Sequence, residues 1–376
     1  MKVLLLSGAY KNAGDFLIVQ RSREILQRAF PGCETILLER RFSLADQLDL
    51  VNTCDLAVLC GGPGYSPYFY PNQAPLLPDL SALKPKLMAL GMGWQSRRTD
   101  PDRLYGCRFA PKMEQLLQRI QRDTHLLGCR DWYSVRVLRH NNLSGALMTG
   151  CPAWYHPDFL HQTDCRLQSL EQVKTIAVSD PANLAVYRQQ VPQLLQYLRR
   201  RFPNVQLRMF FHRGIGPDSH TSPEQAGHLQ ELVGFLRQEG IPYEDLSYSC
   251  QGLASYDDCD LHIGYRVHAH IYNMSRRTPS FLLEEDCRGA GANDAMGLSP
   301  LRAFSPLANR LTERAYHALR KVRPGLLANA HLIQELNDQL YRQQATGFWQ
   351  YQQAYDTMHR TYQVMEQQLQ SVGDLL

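Results

Sequence analysis

The sequence predicts an α/β protein made of two Rossmann-like halves that face each other across a cleft. Short apolar runs alternate with segments of helical period along residues 1–300. The alternation stops in a polar, irregular stretch at 156–172 and starts again at residue 173. At 376 residues, the chain is also longer than one hydrophobic core usually supports, which favours two domains.

The first half, residues 1–155, is predicted to form one Rossmann-like domain. Its compact apolar runs, each closed by a polar residue or by glycine, are typical of fully buried parallel strands. Four of these runs are KVLLLSG, ETILLE, DLAVLCGG and PKLMALGMG. The segment GDFLIVQRSREILQRAF carries apolar residues at helical spacing. Asp131 stands in front of a further helical pattern, where we expect it to be the N-cap.

The second domain is predicted over residues 173–300, and a helical tail over residues 301–376. The strand VKTIAVSDP opens this domain, and helix and strand patterns then alternate as in the first half. The tail is rich in glutamine, and its large apolar side chains recur at helical spacing, which predicts a stripe that faces the core. The stripe contains Phe348, Tyr351, Tyr355, Met358, Tyr362 and Met365. We expect the tail to pack back on the first domain.

The composition is that of a soluble globular protein, with 20% charged and 44% hydrophobic residues. The net charge of +4 is small and the basic residues are scattered apart from the run at 199–201, so no nucleic-acid partner is predicted. The opening apolar run, Val3 to Leu6, is too short for a transmembrane segment, and no secretory leader is predicted. The ten cysteines occur singly, which favours reduced packing residues in the cytoplasm over disulfides or a zinc site.

Three glycine-containing segments follow predicted strands of the first half: NAGD at 12–15, GGPGYS at 61–66 and GMGW at 91–94. Because ligands bind at the carboxyl ends of parallel strands, we expect these segments to line one wall of the cleft. Glycine lets backbone N–H groups approach a ligand, and a helix N-terminus favours an anion. Neither a P-loop nor a dinucleotide fingerprint is present. The candidate cleft residues are Asn12, Asp15, Gly61, Gly62, Gly91, Gly93 and Arg130.

The stretch GYRVHAHIYN in the second half places Arg266, His268 and His270 two residues apart. If the segment is extended, the three side chains share one face; if Arg266 begins a helix, Arg266 and His270 still lie one turn apart. Histidine titrates near neutral pH and arginine binds carboxylate or phosphate through a planar fork, so the cluster suggests acid catalysis on an anionic substrate. A core histidine is the structural alternative. A zinc site is disfavoured because no cysteine or carboxylate has the spacing to complete it.

These residues and their neighbours resemble the polysaccharide pyruvyl transferase family. The downstream match is an Arg-x-His-Ala motif, a proline before a strand, an Asp-x-Arg and a Gly-Leu pair. The upstream match is an Asn-x-Gly-Asp start, a glycine loop, the GMG strand end and an Arg-Asp-x-x-Ser segment, so the resemblance covers about residues 1–300 in order. It departs at Pro63, where a third glycine is usual, and at Val267, where leucine is usual. The downstream residues are Arg266, His268, Ala269, Pro279, Asp286, Arg288, Gly297 and Leu298.

The resemblance implies a glycosyltransferase-B-like pair of domains that transfers an enolpyruvyl unit from phosphoenolpyruvate to a sugar as a ketal, with release of phosphate. The first domain would bind the acceptor and the second the donor. His268 would be the general acid, and Arg266, facing a water-filled cleft, would bind the donor anion. The further donor ligands would be Arg213, His270 and Arg288.

The implied partners are phosphoenolpyruvate as co-substrate and a saccharide acceptor, free or lipid-linked, with no metal or organic cofactor. Such an enzyme would work in the cytoplasm, with peripheral contact to the inner face of the membrane. Two alternatives stay open. A nucleotide-sugar glycosyltransferase of the same fold would hold a ribose through Glu284, Glu285 or Asp286, whereas a sugar-binding protein would keep the fold without catalysis.

Overall fold

The computed structural model describes residues 1–97, 99 and 104–376 as two β-sheets with connecting helices. The strands of the first sheet are Lys2–Ser7 (β1), Glu34–Glu39 (β2), Leu56–Cys60 (β3), Lys86–Met92 (β4), Leu127–Cys129 (β5) and Ala146–Met148 (β6). Those of the second are Thr175–Ser179 (β7), Gln206–Phe211 (β8), Tyr243–Asp245 (β9), Leu261–Gly264 (β10) and Ser280–Leu282 (β11). All described pairings within the two sheets are parallel, as the alternation of strand and helix patterns predicts.

Several helices begin where the sequence supplies a side-chain cap. Asp131 is the predicted N-cap, because its Oδ1 accepts a hydrogen bond from the backbone N–H of Ser134 at 2.7 Å. Ser222 and Gln225 form a capping box in front of another helix, with Pro223 at its first position. The described helices are Ala13–Ala29 (α1), Leu48–Val51 (α2), Phe69–Asn72 (α3), Pro111–Thr124 (α4), Trp132–His140 (α5), Leu184–Tyr187 (α6), Gln190–Arg201 (α7), Pro223–Gln238 (α8), Val267–Ser275 (α9), Cys287–Met296 (α10), Pro306–Arg310 (α11), Glu313–Val322 (α12), Leu332–Ala345 (α13) and Trp349–Gly373 (α14).

The strand order of each sheet determines where a ligand can bind. The first sheet runs β2-β1-β3-β4-β5-β6, so the connections leaving β1 and β3 turn to opposite sides of it. The second sheet runs β11-β10-β7-β8-β9, and its reversal lies between β10 and β7. Such reversals open a crevice at the carboxyl ends of the two strands. The segments that follow β1, β3, β7 and β10 are therefore the ones placed to form a site.

The helical tail connects the two halves. In α14, Tyr351, Tyr355, Met358, Tyr362 and Met365 are buried, which confirms the predicted core-facing stripe. Tyr351 donates a hydrogen bond from its hydroxyl to the carbonyl of Ser280 in the second half at 2.9 Å. Farther along the helix, Gln368 donates to the carbonyl of Ala89 in the first half at 3.3 Å. The tail thus contacts residues of both halves.

The polar stretch at 156–172 that separates the halves contains only short 3₁₀ turns, Pro157–Phe159 and Leu170–Gln172. This absence of a longer element agrees with its irregular sequence. Within the described part of the chain, no helix is both long enough and apolar enough to cross a membrane.

Candidate active site

The segment after β10 forms a helix, which is one of the two geometries that the sequence left open. Arg266 is the N-cap of α9 and keeps an extended backbone, with φ −79° and ψ 116°. His268 and His270 lie within the helix itself. Because successive helical residues turn by about 100°, side chains two positions apart point to nearly opposite sides. The two histidines therefore lie in different surroundings.

Arg266 is held by Asp180, which directly follows β7 on the other side of the reversal in the second sheet. Arg266 donates from Nε to Oδ1 of Asp180 at 2.8 Å and from Nη2 to Oδ2 at 2.5 Å. Burial alone would lower the pKa of Arg266, but the charge of Asp180 and its hydrogen bonds outweigh that effect and raise it. Only 9% of Arg266 is exposed. The expectation that this arginine faces a water-filled cleft was thus wrong in part, because it borders the cleft as one partner of a buried ion pair.

His268 lies where the two halves meet. Its ring packs on Gly14 in the first turn of α1, so closely that a Cβ at that glycine would lie 2.1 Å from Nδ1. Burial, followed by the charges of Arg130, Arg288 and Arg266, lowers the pKa of His268 to about 3. No hydrogen bond from this imidazole to another described residue is present. The ring is therefore neutral at neutral pH, and it lines a small pocket together with Arg130 and Arg288.

The other two arginines near His268 come from different halves of the protein. Arg130 follows β5, packs on Gly93, and donates to Oδ2 of Asp131 at 3.0 Å and to the carbonyl of Trp94 at 2.7 Å. In the second half, Arg288 in α10 pairs with Asp286, with Nη2 to Oδ2 at 2.7 Å, and that carboxylate raises its pKa.

Each of the three arginines near His268 thus has an aspartate that fixes one edge of its guanidinium group. Arg130, Arg266 and Arg288 use Nε or Nη2 in their hydrogen bonds. Their Nη1 groups have no hydrogen-bond partner among the residues that the structure describes. The aspartates orient the arginines without occupying every donor, an arrangement that suits binding of a small anion.

A cavity of about 710 Å³ opens beside Arg266 and Arg288, mostly against the second half, whereas His268 and Arg130 line a separate small pocket that shares only Arg288 with it. Arg266, Arg288 and Arg213 line it, and Arg97 contributes from the first half. Arg213, which follows β8, donates from Nη2 to the hydroxyl of Tyr10 at 3.2 Å. The cavity wall therefore combines cations from both halves. The size and polarity suit a charged small molecule together with part of a larger partner.

His270 does not belong to this cavity, contrary to our expectation that it binds the donor. Its exposed fraction is 0%, and Nδ1 lies 2.8 Å from Oγ of Ser280 in β11. The same hydroxyl lies 2.6 Å from Nδ1 of His262 in β10. Burial lowers the pKa of His270 to about 3. The helix turns His270 toward the sheet, so the core-histidine alternative applies to it.

The glycine segments of the first half lie at the carboxyl edge of its sheet. Gly61, Gly62 and Gly91 have positive φ values of 48°, 73° and 60°, which L side chains rarely adopt. Asn12 immediately precedes α1, and Asp15 lies in its first turn. Burial raises the pKa of Asp15 more than the charge of Arg40 lowers it.

Sequence reasoning missed three functional candidates. Asp180 could have been found, because it ends a predicted strand in VKTIAVSDP. Arg40 donates from Nη1 to the carbonyl of Gly61 at 3.0 Å and lies under Gly62, but no pattern around it indicates this. Lys11 has an exposed fraction of 0% and forms an ion pair across the halves with Asp218 at 2.6 Å. The only sequence feature that could have indicated Lys11 is its position immediately before the segment NAGD.

The three carboxylates that the glycosyltransferase alternative assigns to a ribose lie in different surroundings. Glu284 is buried and accepts from Nδ2 of Asn293 at 2.7 Å, away from the cavity. Glu285 lines the cavity and accepts from the backbone N–H groups of Ala182 and Asn183 at 2.7 and 3.1 Å. Burial raises the pKa of Glu285 to about 7. Asp286 also lines the cavity, but it is engaged by Arg288.

Comparison with solved structures identifies the fold. A putative UDP-N-acetylglucosamine 2-epimerase from Listeria monocytogenes is 10% identical, with a TM-score of 0.50 over 96% of this chain and 90% of that one. The UDP-GlcNAc 2-epimerase from Neisseria meningitidis, solved with UDP-GlcNAc, is 10% identical, with a TM-score of 0.48 over 91% of this chain and 100% of that one. The two facing Rossmann-like domains are those of the glycosyltransferase-B fold, as expected.

Sequence comparison identifies the family. No protein with curated annotation matches the chain significantly. The family model described as polysaccharide pyruvyl transferase matches residues 12–286, from the start of NAGD to the aspartate that pairs with Arg288. This match includes Arg130, Asp180, Arg266 and His268 and extends over most of the chain. The protein belongs to the polysaccharide pyruvyl transferase family and is a transferase.

Proposed function

We propose that this transferase moves the enolpyruvyl unit of phosphoenolpyruvate onto a saccharide and forms a pyruvate ketal across two hydroxyl groups. One observation carries the proposal. His268 lies at the junction of the two halves, without a hydrogen bond to the described residues, among Arg130, Arg266 and Arg288. A proton-transfer group surrounded by oriented guanidinium groups is the arrangement that a small substrate with a carboxylate and a phosphate requires.

The chemistry assigns each group a task. Protonation of the methylene carbon of phosphoenolpyruvate by His268 makes the adjacent carbon electrophilic, and one acceptor hydroxyl adds to that carbon. The second hydroxyl then attacks the same carbon as its bond to the phosphate oxygen breaks. Two hydroxyl protons are released: one restores His268, and the other leaves with the phosphate group. The arginines stabilise the carboxylate and the departing phosphate.

The low pKa of His268 links proton uptake to donor binding. In the empty site, burial and three cations keep the imidazole neutral at neutral pH. A bound anion in contact with the same arginines offsets their charge and adds negative charge of its own, which raises the pKa of His268. His268 would therefore be protonated, and able to act as an acid, only when the donor is bound. In the empty enzyme it would stay neutral.

A calorimetric titration with phosphoenolpyruvate tests the proposal. Repeating the titration in buffers of different ionisation enthalpy gives the number of protons taken up on binding. We expect wild type to take up a larger fraction of a proton than His268→Asn, while both bind the donor with similar affinity. Subtracting the two values removes protons exchanged by the donor's own phosphate group.

A nucleotide sugar such as UDP-GlcNAc serves as the competing donor in the same titration. Phosphoenolpyruvate that fails to bind, or UDP-GlcNAc that binds more tightly, would overturn the proposed donor and favour the glycosyltransferase alternative. Equal proton uptake by both proteins would remove His268 as the acid while leaving the donor assignment in place. A lipid-linked acceptor and contact with the membrane stay predictions from the sequence.

A further inference from the structure

The structure places a row of flat side chains along the carboxyl edge of the first sheet, outside the donor cavity. Tyr10 follows β1 and Phe42 follows β2, and these strands are neighbours in register, with Ser7 opposite Glu39. Residues shortly beyond that pair therefore emerge side by side at the same edge. Arg41 lies between the two rings, with its guanidinium carbon 5.5 Å from the centre of Tyr10 and 4.9 Å from that of Phe42.

The row is continuous with the cavity. His220, which lines the cavity wall, packs edge-on against Tyr10 with ring centres 4.9 Å apart. Arg213, another lining residue, donates a hydrogen bond to the hydroxyl of Tyr10. Steps of similar length thus lead from His220 through Tyr10 and Arg41 to Phe42, a residue that is 58% exposed. We call these four residues the aromatic row.

We propose that the aromatic row binds the acceptor saccharide beyond the sugar unit that is modified. This inference rests on the proposed function and identifies where its second substrate lies. A sugar ring has apolar C–H faces and a rim of hydroxyl groups, so it packs on an aromatic face and needs hydrogen-bond partners at its edge. The exposed Phe42 provides such a face, while Arg41, whose guanidinium group lies over the rings of both Tyr10 and Phe42, provides a planar set of N–H donors.

The charge of the row favours a saccharide over a polyanion. Arg41 is paired with Glu39, with Nε 2.5 Å from Oε2, so the outer end of the row carries little net charge. The half-exposed Phe42 adds apolar surface that a strongly hydrated anion would not use. The row also starts at the cavity, so a chain lying on it would direct its terminal sugar into the proposed donor cavity.

The test measures how binding depends on acceptor length. Oligosaccharides of a single repeating sequence, graded in length from the disaccharide upward, are immobilised and probed with the full chain. We expect longer fragments to bind wild type more tightly than the disaccharide of the same series. Phe42→Ala and Arg41→Ala should weaken binding of long fragments about two- to tenfold and leave the shortest fragment unaffected.

Trp349→Ala is the matched control, because Trp349 is a similarly exposed aromatic residue (62%) in the helical tail, at the N-terminus of α14. It should bind all fragments as wild type does. Wild type without a length preference, a length preference that survives both substitutions in the row, or an equal loss in the control would each overturn the inference. Donor titration by calorimetry is independent of these outcomes, so a failure of the row is distinguishable from a failure of the proposed donor chemistry.

Discussion

The two sides of α9 place the two histidines of one short motif in different surroundings. On the side facing the first half, His268 packs on Gly14 among three arginines and has no hydrogen bond to the described residues. On the side facing the sheet, His270 is fully buried and shares the hydroxyl of Ser280 with His262. Burial lowers the pKa of both histidines to about 3, so the pKa alone does not separate them. Their partners do.

The comparison teaches that a perturbed pKa indicates function only together with access and partners. Structural histidines are also desolvated, and a satisfied hydrogen bond at Nδ1 marks His270 as part of the packing. His268 differs because its neighbours are ion pairs from both halves and a glycine that leaves no room for a side chain. The following predictions test this division of α9 into a reactive side and a structural side.

The largest effect is expected from the reactive side. His268→Asn should lower turnover about 100-fold or more, because the variant lacks the proton donor that the proposed mechanism requires in the transition state. The amide keeps a similar volume against Gly14, so the affinity for phosphoenolpyruvate should change little. Turnover is measured by phosphate release with a saturating acceptor, and binding by calorimetry. A variant that keeps most of its turnover would show that His268 is not the acid.

The next largest effect is expected at Arg266. Arg266→Lys keeps the positive charge but loses the planar guanidinium group and its paired N–H donors. Phosphoenolpyruvate should therefore bind roughly tenfold to more than a hundredfold more weakly per folded molecule. Because Arg266 pairs with the buried Asp180, the unfolding free energy of the empty protein should also fall, by about 1–3 kcal/mol. Both are measured on the same preparation. Loss of stability with wild-type donor affinity would make Arg266 a structural residue only.

The sequence predicted the fold well and the site in part. Buried parallel strands and amphipathic helices carry a strong periodic signal, so both sheets and the stripe on α14 were predicted. Arg266 and His268 were predicted as site residues because their motif is local. Asp180, Lys11 and Arg40 were missed, because their roles arise from contacts between segments far apart in sequence. His270 was assigned to the cleft because the sequence did not distinguish an extended segment from a helix.

On the structural side, Ser280→Ala should destabilise the protein without changing the site. The substitution leaves Nδ1 of both His262 and His270 buried without that hydroxyl, at a cost of about 1–3 kcal/mol. Ser371→Ala, on α14, is the control and should leave stability nearly unchanged. Chemical denaturation gives the unfolding free energy, and calorimetry gives the donor affinity. A change in donor affinity per folded Ser280→Ala molecule would mean that the two sides of α9 are not independent.

The smallest effect concerns the dependence of stability on pH. The pKa of His270 is about 3 in the folded protein and near 6.5 when unfolded, so the unfolded state binds the proton first as the pH falls. Its contribution to stability is complete above about pH 6.5 and is lost as the pH falls toward 3. Each such histidine adds at most about 1.4 kcal/mol per pH unit to the slope of the unfolding free energy. Glu284 and Glu285, whose pKa values burial raises to about 7, act in the opposite direction between about pH 4.5 and 7.

Subtracting the unfolding free energy of His270→Asn from that of wild type at each pH removes the contributions of these other groups. Between pH 4.5 and 6.5, the unfolding free energy of the variant should rise less steeply with pH than that of wild type. Identical slopes would mean that His270 binds its proton equally in the folded and unfolded states over this range, and that the sheet does not hold this imidazole neutral.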